Sequence, residues 1–233
     1  MHKLDILIPV YNEKGNIKMV LESLRKDVRV PFRVFICYDN DDDDTLEALK
    51  DYNPGRLQIV PLKNSGKGAH SAILTGFRMS DAEAVIALPA DDTYNAKIID
   101  DMYGKFKEGA DMVFGSRFME GGNMNKGPAF KTFLTRTASF LLFRLAKMPV
   151  HDATNGFCLF SRRLLNEIPI ESSKGFAYSI ELLVKACHRG YRIDEVPAMW
   201  YERVKGKSRF RLFKWLPEYL RWFLYGFGIK RLR

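Results

Sequence analysis

Apolar runs that alternate with amphipathic stretches through the first half of the chain constrain its fold more than any other feature. Leu4-Asp5-Ile6-Leu7-Ile8-Pro9-Val10 reads as a buried strand ending at a proline, and residues 32–37, 57–62, 84–88 and 111–115 read as four more. Between them, residues 16–26 read as a helix with Ile17, Val20, Leu21 and Leu24 on one face. Residues 45–51, 68–79 and 98–108 read as three further helices. Strands and helices in this alternation predict an α/β fold, a mostly parallel sheet covered by helices on both faces. Such sheets bind ligands at the carboxyl ends of their strands. The segments that matter are therefore 9–13, 39–44, 63–68, 89–93 and Ser116-Arg117.

After residue 116 the pattern changes. Residues 129–148 read as an amphipathic helix carrying Lys131, Arg136, Arg144 and Lys147 among many Phe and Leu. Residues 152–160 read as a loop entering a strand, 179–189 as a helix and 192–196 as a short strand. No Pro/Gly/Ser-rich linker divides the chain, so residues 1–209 are expected to form one domain, with 210–233 as a basic aromatic tail.

Charge is unevenly distributed. The chain carries +9, yet residues 203–233 alone hold ten Lys/Arg against one acid, Glu218, while residues 1–202 hold 27 of each sign. A neutral body with a basic end argues for a localised anionic partner. Residues 210–227 contain eight of the 30 aromatics and two of the three tryptophans. Cations interleaved with Trp, Tyr and Phe describe helices lying on an anionic membrane surface, with residues 129–148 completing that surface. Packing on the body, or on a second copy of the chain as a homodimer, is the alternative. Pro217 predicts a kink or a division of the tail helix. No nucleic-acid motif accompanies the charge, so nucleic acid is not an expected partner. The longest apolar stretch of the tail, 222–229, is too short to span a bilayer. The N-terminus has no signal-peptide pattern. Cys37, Cys158 and Cys187 are scattered without CxxC spacing, which suits buried thiols in a reducing compartment. The expected location is cytoplasmic, peripheral on the inner face of the membrane.

The loops after the strands are rich in carboxylates and glycine. Asp39 and Asp41 to Asp44 follow the second strand, and Asp91-Asp92 follow the fourth. Carboxylates at this edge can hold Mg²⁺ or Mn²⁺ against a diphosphate, or accept hydrogen bonds from a base or ribose. Part of the acidic run can equally be a helix cap, with Asp44 before Thr45 the natural candidate. Lys63-Asn64-Ser65-Gly66-Lys67-Gly68 places cations and flexible backbone at a helix N-terminus, a plausible anion site without the spacing of a phosphate-binding P-loop.

Six short motifs occur in order: Ile8-Pro9-Val10-Tyr11-Asn12-Glu13, Asn64-Ser65-Gly66-Lys67-Gly68, Pro89-Ala90-Asp91-Asp92, Gly115-Ser116-Arg117, Asp152-Ala153-Thr154-Asn155-Gly156-Phe157, and Arg203-Val204-Lys205-Gly206-Lys207-Ser208-Arg209. Together they resemble the family 2 glycosyltransferases of GT-A fold, and among those the polyprenyl-phosphate sugar transferases, over residues 4–209. The resemblance implies an inverting transfer of a hexose from a GDP-mannose or UDP-glucose type donor. Pro9, Tyr11, Asn12 and Glu13 would cradle the nucleotide, Asp39 would read the base or ribose, and Lys67 would lie near the phosphates. Ala90 and Asp91 match the last two positions of the family's Asp-x-Asp, with Asp92 as a second metal ligand. Arg117 matches an arginine near the phosphates and acceptor. Arg203, Lys207, Ser208 and Arg209 match a segment that closes over the diphosphate.

This chain departs from the pattern at Pro89, which stands where the family has a metal-binding Asp, and at Tyr38, which replaces an acid. The acceptor is expected to be a polyprenyl or dolichyl phosphate, or alternatively a hydroxyl on a glycan or lipid-linked saccharide. A hydroxyl acceptor needs a general base, for which Asp152 is the candidate; a phosphate acceptor arrives ionised and leaves Asp152 a positional role. Glu181 is left open between a structural and an acceptor-facing role. Pro89 also keeps open a catalytically silent nucleotide-sugar-binding protein.

Overall fold

A computed structural model describes residues 2–124, 129–201 and 212–229. Its core is a seven-stranded sheet. The chain alternates β1 (Leu4–Pro9), α1 (Ile17–Asp27), β2 (Phe32–Tyr38), α2 (Asp44–Lys50), β3 (Gln58–Lys63), α3 (Gly68–Met79), β4 (Ala84–Ala87), α4 (Ile99–Lys107) and β5 (Met112–Ser116). There follow β6 (Asn123–Met124), α5 (Ala129–Arg144), β7 (Cys158–Ser161), α6 (Arg162–Glu167), α7 (Ala177–His188), β8 (Ile193–Pro197), β9 (Met199–Trp200) and α8 (Leu212–Gly226). The sheet order is β3-β2-β1-β4-β7-β5-β8, and β6 pairs with β9 apart from it.

Side-chain alternation in β1 sorts the core into two layers. Leu4, Ile6 and Ile8 pack with Ile17, Val20, Leu21 and Leu24 of α1 and with Ile99 and Met102 of α4. Leu7 points to the other face, with Ile73 and Phe77 of α3, Leu182 and Leu183 of α7, and Trp222 of α8. Asp5 is fully buried in the same strand because Arg33 grips both its oxygens at 2.8 Å and Ser80 Oγ donates at 2.5 Å.

All pairings in the main sheet are parallel except those of β7, which runs antiparallel to β4 and β5. That reversal positions the site. The loop before β7, residues 152–157, arrives at the edge where the loops after β4 and β5 leave, so Asp152 and Arg117 meet there.

The structure sharpens three local expectations. The helix expected over 129–148 stops at Arg144, and Lys147 takes a positive φ of 54°. The tail helix runs unbroken through Pro217. It packs on the body, one of the two alternatives the sequence leaves open: Trp222 is 1% exposed among α7 residues, and Gly226 lies so close to Leu142 of α5 that a Cβ would meet it at 2.8 Å. Glu181 has a structural role: it is fully buried and accepts from Glu171 N, Ser172 N and Lys185 Nζ at 2.6–2.8 Å. Lys185 of α7 lies against the Trp222 ring, which fastens α8 to α7.

Candidate active site

The loop after β1 is shaped by the acids after β2. Asn12 adopts φ 54°, and its N–H donates to both oxygens of Asp43 at 3.1 Å. Asp43 also accepts from Thr45 N at 2.9 Å, so Asp43, and not Asp44, caps α2. Asp44 instead accepts from Lys14 N. Glu13 N donates to Thr45 Oγ1, and the Glu13 carboxylate holds Asn16. Pro9 lines the cavity described below, and Tyr11 is exposed beside it in sequence.

Asp39 ties the second motif to the sheet edge. One oxygen accepts from Asn64 Nδ2 and the other from Gly68 N, both at 2.7 Å. Gly68 has φ +82°, a conformation other residues rarely adopt. Asn64 Oδ1 in turn accepts from Gly66 N, Ser71 Oγ and Thr75 Oγ1. Lys67 is exposed at the start of α3, next to the Asp39 carboxylate's partner.

The two acids after β4 differ. Ala90 is buried and Asp91 exposed. Asp92, expected beside Asp91 as a metal ligand, has both oxygens engaged within its own turn. Oδ1 accepts from Tyr94 N and Asn95 N, and Oδ2 from Asn95 Nδ2 at 2.6 Å. Burial pushes the Asp92 carboxyl above its usual range, against these bonds. Among the described residues no group of three or more His, Cys, Asp or Glu could hold a metal. Pro89 offers no side-chain ligand. Asp91 is then the protein carboxylate that fits a hard cation, and Mg²⁺ commonly takes one or two carboxylates and completes its shell with phosphate and water.

Asp152 is fully buried, and its oxygens accept from Arg117 N, Nε and Nη2 and from Thr154 N and Oγ1. The fork-on-carboxylate pairing fixes the guanidinium, which Thr154 Oγ1 also holds at 3.0 Å. The carboxylate is enclosed in this arrangement, and its bonds hold the Arg117 guanidinium in place. Asn155 Nδ2 donates to Gly115 O at 2.6 Å and locks the same loop to β5. Arg203, Lys207, Ser208 and Arg209 lie outside the described residues.

Beside Arg117 opens a cavity of about 380 Å³. Its sheet end is lined by Pro9, Pro89, Asp92, Arg117 and Asn155, and its walls by Leu134, Ala138 and Leu141 of α5, Tyr178 of α7, and Leu216, Leu220 and Phe223 of α8. The result is an apolar chamber with the Arg117–Asp152 ion pair at one end. Leu216 and Leu220 both line it and remain 41% and 46% exposed, and Phe133 and Phe140 of α5 are also exposed. No helix among the described residues is long and apolar enough to cross a bilayer.

Periodicity in the sequence singled out neither Asn95 nor the wall made by α8. Asn95 is a lone polar residue without a motif, and the wall depends on long-range packing.

The family model described as glycosyl transferase family 2 matches residues 5–169. A polyprenol monophosphomannose synthase of Mycolicibacterium smegmatis is 26% identical over 213 residues, covering 88% of this chain and 79% of the relative. A dolichol-phosphate mannosyltransferase of Pyrococcus furiosus is 23% identical over 223 residues, 94% of this chain but 62% of the relative, so the match spans less than two thirds of that protein. Among solved structures, a glucosyl-3-phosphoglycerate synthase of Mycobacterium tuberculosis in complex with Mn²⁺, UDP and glucosyl-3-phosphoglycerate superposes with a TM-score of 0.73 at 17% identity, over 99% of this chain and 81% of that one. The same enzyme with Mg²⁺ and UDP gives 0.71 at 18% identity, with the same shares of each chain covered. At these identities the likeness speaks to the fold.

Proposed function

Because the chain belongs to glycosyl transferase family 2 and is a glycosyltransferase, we propose that it transfers a hexose from a nucleoside-diphosphate sugar to a polyprenyl phosphate at a membrane surface. One observation carries the reading: the apolar cavity ends on Arg117. An isoprenoid tail suits the Leu and Phe walls, and its phosphate suits the guanidinium. The names of the two curated relatives, a polyprenol and a dolichol-phosphate mannose transferase, agree with this acceptor.

The chemistry asks little of a general base. An oxygen of the lipid phosphate, already ionised, forms the new bond to the anomeric carbon as the bond to the diphosphate oxygen breaks. The configuration inverts, and the nucleoside diphosphate leaves with the electron pair. Arg117, held rigid by Asp152 and Thr154, orients the acceptor and offsets its charge. The donor nucleotide would lie along Pro9, Tyr11, Asn12, Glu13, Asp39, Lys67 and Ala90. Mg²⁺ or Mn²⁺ bound at Asp91 would neutralise the departing diphosphate. The exposed apolar residues of α5 and α8, flanked by the basic C-terminal residues, would rest on anionic lipid.

The test is transfer of radiolabelled sugar from GDP-mannose and UDP-glucose to polyprenyl phosphate in vesicles, with and without Mn²⁺. A lipid-linked sugar phosphate is expected. A protein that binds neither nucleotide and forms no product overturns the reading.

A further inference from the structure

Asn95 is 3% exposed and has every polar atom of its side chain engaged. Its Nδ2 donates to Asp92 Oδ2 at 2.6 Å and to Met199 O at 2.7 Å, and its Oδ1 accepts from Met199 N at 2.8 Å. The carboxamide thus pairs with Met199 as a neighbouring strand would, on a residue that also pairs with Asn123 of β6. Only a side chain with donor and acceptor in one plane can do this. Asp would set two acceptors against a carbonyl, and Ser cannot satisfy both groups.

The bridge joins two parts of the site. On one side, Asn95 and Asp92 form the turn that carries Asp91. On the other, Met199 follows Ala198, whose N–H donates to Ser116 O at 2.8 Å, one residue before Arg117. Next to the bridge, Tyr94 stacks on Tyr201 with ring centroids 4.1 Å apart. Two hydrogen-bonded joints and the peptide links between them therefore connect the Asp91 turn through Asn95, Met199, Ala198 and Ser116 to Arg117. Asp92, Asn95 and Met199 all line the cavity between those ends.

We propose that Asn95 is a positioning residue that fixes the Asp91 turn relative to Arg117, and so sets the alignment of donor with acceptor more than the affinity for either. This rests on reading Arg117 as the acceptor-side cation.

The test compares wild type with Asn95→Asp and Asn95→Ser in three assays: sugar transfer to polyprenyl phosphate, hydrolysis of the same sugar nucleotide by water, and nucleotide affinity by calorimetry. Misalignment should lower kcat for transfer about 100-fold while hydrolysis and nucleotide Kd change by less than about threefold. A purely structural role would lower transfer and hydrolysis together, and that result overturns the inference, as does unchanged transfer in a folded variant. Asn95→Ser adds no charge and serves where Asn95→Asp fails to fold. A wild-type chain that hydrolyses the sugar nucleotide but never glycosylates polyprenyl phosphate overturns the acceptor reading and this inference with it. Wild-type transfer with an unchanged ratio in both variants overturns the inference alone.

Discussion

Around Asn12 and Asp39 the chain is held by carboxylates that accept backbone N–H groups, whereas around Trp222 it is held by apolar packing with one buried charge network behind it. The first region has many bonds, each contributing about 1 kcal/mol net. The second has an open apolar chamber whose walls come from three helices distant in sequence. The polar edge is pre-shaped to meet a polar ligand by its backbone. The chamber offers area and little direction until Arg117 supplies it. Substitutions at the polar edge should therefore change donor handling, and those in the chamber should change acceptor handling.

The largest expected effect breaks this division at its junction. Arg117→Met should lower transfer to polyprenyl phosphate by about 10³-fold. It should also cost about 3–5 kcal/mol of stability, because Asp152 is left buried and unpaired. Adding Asp152→Asn should restore most of the melting temperature and none of the activity. A double variant that regains transfer would remove Arg117 from the reaction.

Asp91→Ala comes next. Loss of the exposed carboxylate should lower both transfer and donor hydrolysis by about 100-fold and abolish stimulation by Mn²⁺, with the melting temperature unchanged. Activity that keeps its Mn²⁺ dependence would place the cation elsewhere.

On the acceptor side, Ala138→Trp should overfill the chamber. Loss of chamber space should raise the KM for long-chain polyprenyl phosphate about tenfold, with nucleotide affinity intact. Equal loss of donor affinity, measured by calorimetry, would mean the two regions are not separable.

The smallest effect concerns His70, where α3 meets α7. His70 of α3 is buried beside Tyr178, and burial, the largest influence, lowers its pKa from the ordinary 6.5. The folded chain therefore takes up this proton less readily than the unfolded chain. Stability from the neutral ring is present above pH 6.5 and is lost as pH falls below it. His70→Phe should flatten the fall in melting temperature between about pH 7 and 5, while the wild type keeps its slope.

Much of this was legible in the sequence, and the limits have physical causes. The helix over 68–79 was readable to the residue because periodicity and flanking glycine agree there. Arg117 and Asp152 were each nominated from motifs, yet their pairing depends on β7 running antiparallel, which no local pattern reveals. Asp43 and Asp44 are chemically alike, and only backbone geometry decides which caps α2. Pro217 sits within a continuous helix because the packing of Trp222 and Gly226 holds α8 in place. Asn95 carried no signal because its partner is a backbone 104 residues away.

Transfer to a lipid phosphate gripped by Arg117 needs no general base, whereas transfer to a hydroxyl does. The most direct measurement offers purified protein and sugar nucleotide an equal choice of polyprenyl phosphate and the matching polyprenol in mixed vesicles. Sugar is expected on the phosphate alone, with Asp152→Asn retaining the shape of the pH–rate profile. Sugar on the free alcohol, or loss of a titrating limb in Asp152→Asn, would contradict it.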